Sequence, residues 1–174
     1  MTLPPPVVAL RRLDVGDRSE VDAVVAAAVA GALPREVMPP DDGPHPDDWT
    51  LLRERAYARF LRGRPATETS YLVVEGAAVV GVARLRRDGA GAETGVWLSR
   101  GARGRGIGTA VLGLLAQRAA QDGADRLVAD TTADNAAALG ALRRHGAALS
   151  GDADAVAAVI GLGGPEPRDP GSSR

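Results

Sequence analysis

The sequence predicts an α/β domain built on a mixed sheet, and three observations carry that expectation. Strand-like and helix-like stretches follow one another in the order β-α-α-β-β-β-α-β-α-β-β. At 174 residues the chain is long enough for one domain with a sizeable core. Near its middle, the strand-like Gly95-Val96-Trp97-Leu98 leads through a glycine- and arginine-rich loop straight into a long apolar helical pattern.

Residues 1–6 read as a Pro-rich, flexible lead-in and Val7 to Leu13 as a short strand. Ser19 suits an N-cap, with Glu20 and Asp22 in the first turn. Val21, Val24, Val25, Ala28 and Val29 then recur at helical spacing until Gly31 to Pro34 closes the helix. Residues 34–48, rich in Pro, Asp and Gly, read as a loop. A second helix is expected over 48–61, with Trp49, Leu52, Ala56 and Phe60 on one stripe. Residues 69–74 and 78–86 read as strands joined at Glu75-Gly76. After a turn at 88–91, a third strand spans Glu93 to Leu98. The apolar helix runs from Ile107 to Ala120 and stops at Asp122-Gly123. A short strand at 126–130, a helix at 136–144 closed by Gly146, and a strand pair at 147–150 and 155–162 complete a domain spanning 7–162. Residues 163–174 carry Pro, Gly, Ser and charge and read as a disordered tail.

Composition narrows the function. A formal net charge of −1 gives no global field for nucleic acid. No apolar run approaches the roughly 20 residues that cross a membrane, and no basic region followed by an apolar stretch opens the chain. Cysteine is absent, which removes a cysteine nucleophile, a thiolate metal site and disulfides. The two histidines stand apart, so no metal is expected. These features fit a cytoplasmic protein, and a homodimer is left open. All 21 basic residues are arginine. A GC-rich coding bias accounts for that; it also leaves a lysine-modifying enzyme nothing of its own to modify.

The run Arg100 to Thr109 holds four glycines and three arginines. Glycines let successive backbone N–H groups converge on one concavity. The helix that follows aims its free N–H groups and positive dipole end at the same spot, so the pattern reads as a pyrophosphate cradle. A dinucleotide fingerprint would need Gly where Thr109 stands, at the first strand–helix turn of the chain. A P-loop would need a lysine, and there is none.

The order Arg103-x-x-Gly106-x-Gly108 resembles the acyl-CoA signature of the GNAT superfamily of N-acetyltransferases. The element order over 7–162 is also that of the GNAT fold, a mixed, mostly antiparallel sheet flanked by helices. This resemblance implies acetyl-CoA as cosubstrate. Arg103, Gly104, Arg105, Gly106, Ile107, Gly108 and Thr109 would hold its pyrophosphate, and the backbone of Val96, Trp97 and Leu98 would pair with its pantetheine arm as an added strand. Asn135-x-x-Ala138, with Gly146 eleven residues after the Asn, resembles the family's Asn-x-x-Ala helix, so Asn135 would hydrogen-bond the CoA arm. From the residues alone, Asp134 or Asn135 simply caps that helix. Arg143 and Arg144 either reach CoA phosphates or favour the helix C-terminus.

Ala92-Glu93-x-Gly95 resembles the strand whose Glu is the family's base. A lysine ε-amine has a pKa of about 10.4 and is almost wholly protonated at neutral pH. A carboxylate, directly or through water, has to collect its proton. Read alone, Glu93 is equally an exposed strand-end carboxylate; Glu68 and Glu75 are weaker candidates. Where many members carry a tyrosine seven residues after the Asn, to protonate the CoA thiolate, this chain has Leu142. With no cysteine to carry an acyl group, direct attack in a ternary complex is expected.

Three stretches are similar to Pat-type protein lysine acetyltransferases: Arg55-Ala56-Tyr57-Ala58-Arg59-Phe60, Ala92-Glu93, and the segment from Ala133 to Ala147. That likeness implies a protein lysine as the amine acceptor. A small-molecule N-acetyltransferase acting on an aminoglycoside or polyamine is the alternative, and a non-catalytic acyl-CoA-binding module a third. Asp41, Asp42, Asp47 and Asp48 are either a solvated loop or an attractor for a cationic amine.

Overall fold

A computed structural model describes residues 7–41, 43–152 and 154–163. The lead-in 1–6, Asp42 and the tail beyond Gly163 lie outside the described residues. The elements are β1 (Val8–Arg12), α1 (Arg18–Gly31), α2 (Pro34–Val37), α3 (Leu51–Arg62), β2 (Glu68–Glu75), β3 (Ala78–Asp88), β4 (Gly91–Leu98), α4 (Ile107–Gln121), β5 (Arg126–Thr131), α5 (Ala136–Arg144), β6 (Ala148–Gly151) and β7 (Val156–Gly161). The seven strands form one sheet in the order β1-β2-β3-β4-β5-β7-β6. Every neighbouring pair is antiparallel except β4 and β5, which run parallel.

Because strand side chains alternate between faces, each face builds its own core. On one face, Tyr71, Val73, Ala83, Leu85 and Leu127 pack under Ile107, Val111 and Leu115 of α4. On the other, Leu72 and Val82 pack under Val21, Val24 and Ala28 of α1 and under Tyr57 and Leu61 of α3. That second face also carries polar positions in register: Ser70 lies opposite Arg84, Arg84 opposite Gly95, and Arg86 opposite Glu93.

The structure revises three local expectations. α1 is capped by Asp17, whose carboxylate accepts from the backbone N–H and the hydroxyl of Ser19, so Ser19 lies inside the first turn. The 34–48 segment opens with a short helix: Pro34 presets its first turn, and the Glu36 side chain accepts from the Leu33 N–H. The third revision is the buried stripe of α3, which is Arg53, Tyr57 and Leu61, one residue on from the expected one, while Leu51 and Leu52 are exposed. Thr50 caps this helix through the Arg53 N–H. Trp49 precedes it, packs against Tyr57 and donates to the Ala32 carbonyl. The shift follows from Arg53. Its five guanidinium donors are all consumed, by both Asp41 oxygens and by the carbonyls of Pro44, His45 and Asp48, which fastens the 41–48 loop to the helix.

Candidate active site

Parallel pairing of β4 and β5 stops after three residue pairs, the last being Thr94 with Ala129. Beyond that point β4 continues to Leu98 bonded only to β3, so one edge of residues 95–98 is open. The Ser99 N–H donates to the Val80 carbonyl on the β3 side. By the two-residue alternation of an antiparallel ladder, Trp97 also points its backbone groups at β3, and Val96 and Leu98 point theirs into the gap. The expected pairing of Val96, Trp97 and Leu98 with an added strand is therefore corrected at Trp97, whose backbone is spent on Val82 and whose side chain faces α3. The Leu98 carbonyl on the open edge is held by Arg103 Nε at 2.8 Å.

The glycine–arginine loop leaves β4 through a short helical turn at Arg100–Ala102 and enters α4 at Gly106. Gly104 and Gly106 have φ of 72° and 81°, a left-handed conformation that residues with a Cβ adopt only under strain. The first backbone bond of α4 runs from the Ala110 N–H to the Gly106 carbonyl, 3.1 Å. The N–H groups of Ile107, Gly108 and Thr109 are thus free at a helix N-terminus. This is the fit an anionic pyrophosphate requires, and open space around Gly104 leaves room for it. Arg105 pairs with Glu75 and Arg103 with Glu36, so these arginines are anchored beside the cradle rather than loose.

α5 braces the cradle from behind. Asn135 caps α5 by accepting from the Ala138 N–H at 3.1 Å, a bond worth about 1 kcal/mol. At the other end, His145 Nε2 lies 2.8 Å from the Thr109 carbonyl and Arg144 reaches the Thr109 hydroxyl. These contacts were not legible in the sequence, where His145 carried no role. Leu142 is buried in the core against α4, away from any reacting group.

The polar face of the sheet opens into a cavity of about 270 Å3 beside the gap. Its lining includes Glu36, Tyr57, Phe60, Arg64, Arg84, Glu93, Trp97 and Asp130. Glu93 lines it, clamped between two arginines. Arg86 pairs with one carboxylate oxygen, and Arg84 Nη2 donates to the other at 3.0 Å. The Arg86 hydrogen bond, followed by Arg84, holds the Glu93 carboxyl below the usual carboxylate range against the opposing effect of burial. Arg84 lies flat across Gly95; a Cβ there would be 2.7 Å from its Nε. Arg84 also donates to Glu68 at 3.3 Å, and Arg64 Nε lies 2.8 Å from the other Glu68 oxygen.

Tyr57 is buried, and its hydroxyl accepts from Trp97 Nε1 at 3.0 Å. Burial pushes its pKa up, so it stays a neutral hydroxyl. Asp130 is exposed on β5, one residue past the last β4–β5 pair, on the face shared with Glu93 and Gly95. It has no ion-pair or hydrogen-bond partner among the described residues. Arg64 and Arg84 escaped the sequence reading, in which Asp130 figured only as a stand-in for the ribose acid of a dinucleotide site. Arg84 left one faint signal, an arginine between the buried Ala83 and Leu85 inside a strand. Asp41 and Asp47 are consumed by Arg53 and Arg35, and no described residue of the 38–50 loop lines the cavity.

Residues 34–147 match the family model for the acetyltransferase (GNAT) family. No curated protein sequence matches the chain. Among solved structures, the N-acetyltransferase PseH of Campylobacter jejuni in complex with acetyl coenzyme A is similar, with TM-score 0.63 and 13% identity over 89% of this chain and 99% of that one. The GNAT domain of S. lividans PAT matches with TM-score 0.64 and 15% identity, over 88% of this chain and 89% of that one. The ribosomal-protein-S18-alanine N-acetyltransferase from Escherichia coli gives 0.64 and 14%, over 92% and 98%. These likenesses establish the fold. The family model spans well over half of the chain and covers the open strand edge, the cradle and the capped α5, so the protein belongs to the acetyltransferase (GNAT) family and is an acetyl-CoA-dependent N-acetyltransferase.

Proposed function

We propose that the enzyme acetylates a primary amine that enters the cavity and attacks acetyl-CoA seated along the open edge of β4. The observation that carries this reading is the convergence of three features: the unpaired edge of Val96 and Leu98, the free N–H groups of Ile107 to Thr109, and a carboxylate-lined cavity on the adjoining face. Acetyl-CoA supplies an activated acetyl thioester. Gly104 to Thr109 bind its phosphates, and the Asn135 side-chain amide faces its arm. The N–H groups of Val96 and Leu98 are the donors available to polarise the thioester carbonyl. The amine nitrogen forms the new C–N bond as the C–S bond breaks, the amine proton passes to a carboxylate through water, and CoA leaves as a thiolate that takes a proton from solvent.

Glu93 is the proposed proton acceptor. It is held ionised by Arg86 and Arg84, and its lowered pKa makes it a weak base. Asp130 is the second reading, favoured because it is unpaired and faces the same gap. Comparing Glu93→Gln with Asp130→Asn separates them. The variant lacking the base loses roughly 100-fold in kcat at neutral pH, recovers as pH rises, and keeps its acetyl-CoA affinity. A pH–rate profile unchanged in both variants removes both assignments.

Two acceptor classes follow from the sequence: a protein lysine, by likeness to Pat-type enzymes, and a small amine. Either cation would meet Arg64 and Arg84 in this cavity. Release of thiol from acetyl-CoA is the test. The enzyme has no cysteine, so each thiol detected reports transfer. Lysine-rich proteins free of thiols form one panel and small amines the other. No release with any amine contradicts the proposal.

A further inference from the structure

The cavity is electrically two-ended, and this inference rests on its assignment as the acceptor site. Arg64, Glu68, Arg84, Glu93 and Arg86 form one continuous chain of ion pairs. Three guanidiniums against two carboxylates leave one uncompensated positive charge. Arg64 and Arg86 are the two ends of the chain, and Arg64 is the end that lines the cavity. Arg84 spends its two terminal nitrogens on Glu68 and Glu93. Arg64 makes no aligned hydrogen bond among the described residues. Its Nε is 2.8 Å from Glu68 Oε1, yet that oxygen, on a side chain only 2% exposed, remains without a hydrogen bond. Phe60 lies under the guanidinium, 4.3 Å from ring centroid to Cζ, and fixes its plane. Burial and the neighbouring Arg84 charge both disfavour the cation, with Glu68 opposing them. The guanidinium thus stacks on Phe60 in the cavity lining, with no hydrogen bond from its terminal nitrogens among the described residues, and a free guanidinium fork of this kind takes a carboxylate in bidentate fashion.

The opposite end carries the complementary charge. Glu36 is neutralised by Arg103, while Asp130, beside the gap, is unpaired. The net content of the cavity is therefore one positive charge at Arg64 and one negative charge at the mouth of the β4–β5 split. A polyamine or aminoglycoside satisfies only the second, and so does a lysine side chain. The geometry points to a small zwitterion of the amino-acid type as the acceptor, its ammonium group toward Asp130 and Glu93 and its carboxylate on Arg64. Arg64 is then a specificity-determining residue that selects the acceptor by its carboxylate. Bound in this way, the carboxylate supplies the acceptors that the Arg64 fork lacks, and the acetyl transfer itself is unchanged.

The test offers the full-length enzyme acetyl-CoA with free amino acids, the matching amino-acid amides, polyamines and lysine-rich proteins, and follows thiol release. The expected result is turnover of one or more free amino acids, with kcat/KM for the corresponding amide roughly 100-fold lower, because the amide leaves the fork unpaired. Arg64→Met should raise KM for the acid roughly 100-fold with little change in kcat. It should leave the amide's kcat/KM unchanged and acetyl-CoA affinity by calorimetry at the wild-type value. Arg64→Lys should recover part of the loss. A merely structural role for Arg64 would lower both substrates alike. Equal turnover of acid and amide, or turnover confined to polyamines or lysine-rich proteins, overturns the zwitterion while leaving acetyl transfer intact. No thiol release with any amine overturns the transfer reading itself.

Discussion

Arg53 and Arg64 stand eleven positions apart, on and just beyond the same helix, and are used in opposite ways. Arg53 has all five donors bonded, to a carboxylate and three carbonyls, and binds a loop to the domain. Arg64 has a partner in charge but none in aligned hydrogen bonding, and it faces a cavity. Burial does not separate them as sharply as satisfaction does. A guanidinium with every donor spent is part of the fold, and one held in plane with donors to spare is prepared for a ligand.

The largest expected effect lies on the structural side of this comparison. Arg53→Met strands the carbonyls of Pro44, His45 and Asp48, and thermal unfolding should begin roughly 10 °C lower. Arg64→Met should shift Tm by about 3 °C or less, since Arg84 still pairs with Glu68. Equal shifts in the two variants would erase the distinction. The acid limb of stability sharpens it further. The Arg53 hydrogen bond lowers the Asp41 carboxyl to about 2. A carboxylate with a depressed folded-state pKa contributes fully above its unfolded value, about 4. That contribution is lost as pH falls through about 2. The wild type should therefore lose Tm over this window relative to Asp41→Asn, and parallel Tm–pH curves would show that the clasp contributes nothing. The smallest effect is at the cavity: Glu93 is held ionised by two arginines, so activity should show no separate carboxylate titration between roughly pH 5 and pH 7.

The sequence made legible whatever depends on local chemistry. Gly104 and Gly106 announce a loop with positive φ, Asn135 announces a cap, and alternating residues on either side of Gly76 announce a hairpin; the structure contains each of them. The buried stripe of α3 was misread because a buried arginine, unfavourable by hydropathy, became favourable only through carbonyls five to nine residues away. The cavity and the ion-pair chain beside it were largely hidden for a related reason. Glu68, Arg84, Glu93 and Asp130 come from four strands, and their common face is set by long-range register and by the point where β4 and β5 part. Nothing in 21 arginines marks Arg64 until the strands are paired.

The central claim is that the loop from Gly104 to Thr109 and the open edge of β4 form the acetyl-CoA site, and calorimetric titration with acetyl-CoA tests it most directly. Gly106 has φ of 81° where the cradle meets α4, so Gly106→Val both strains the turn and fills the concavity. The account predicts saturable binding by the wild type and by Arg64→Met, and an affinity at least about 100-fold weaker in a folded Gly106→Val enzyme. Wild-type affinity in Gly106→Val would contradict it.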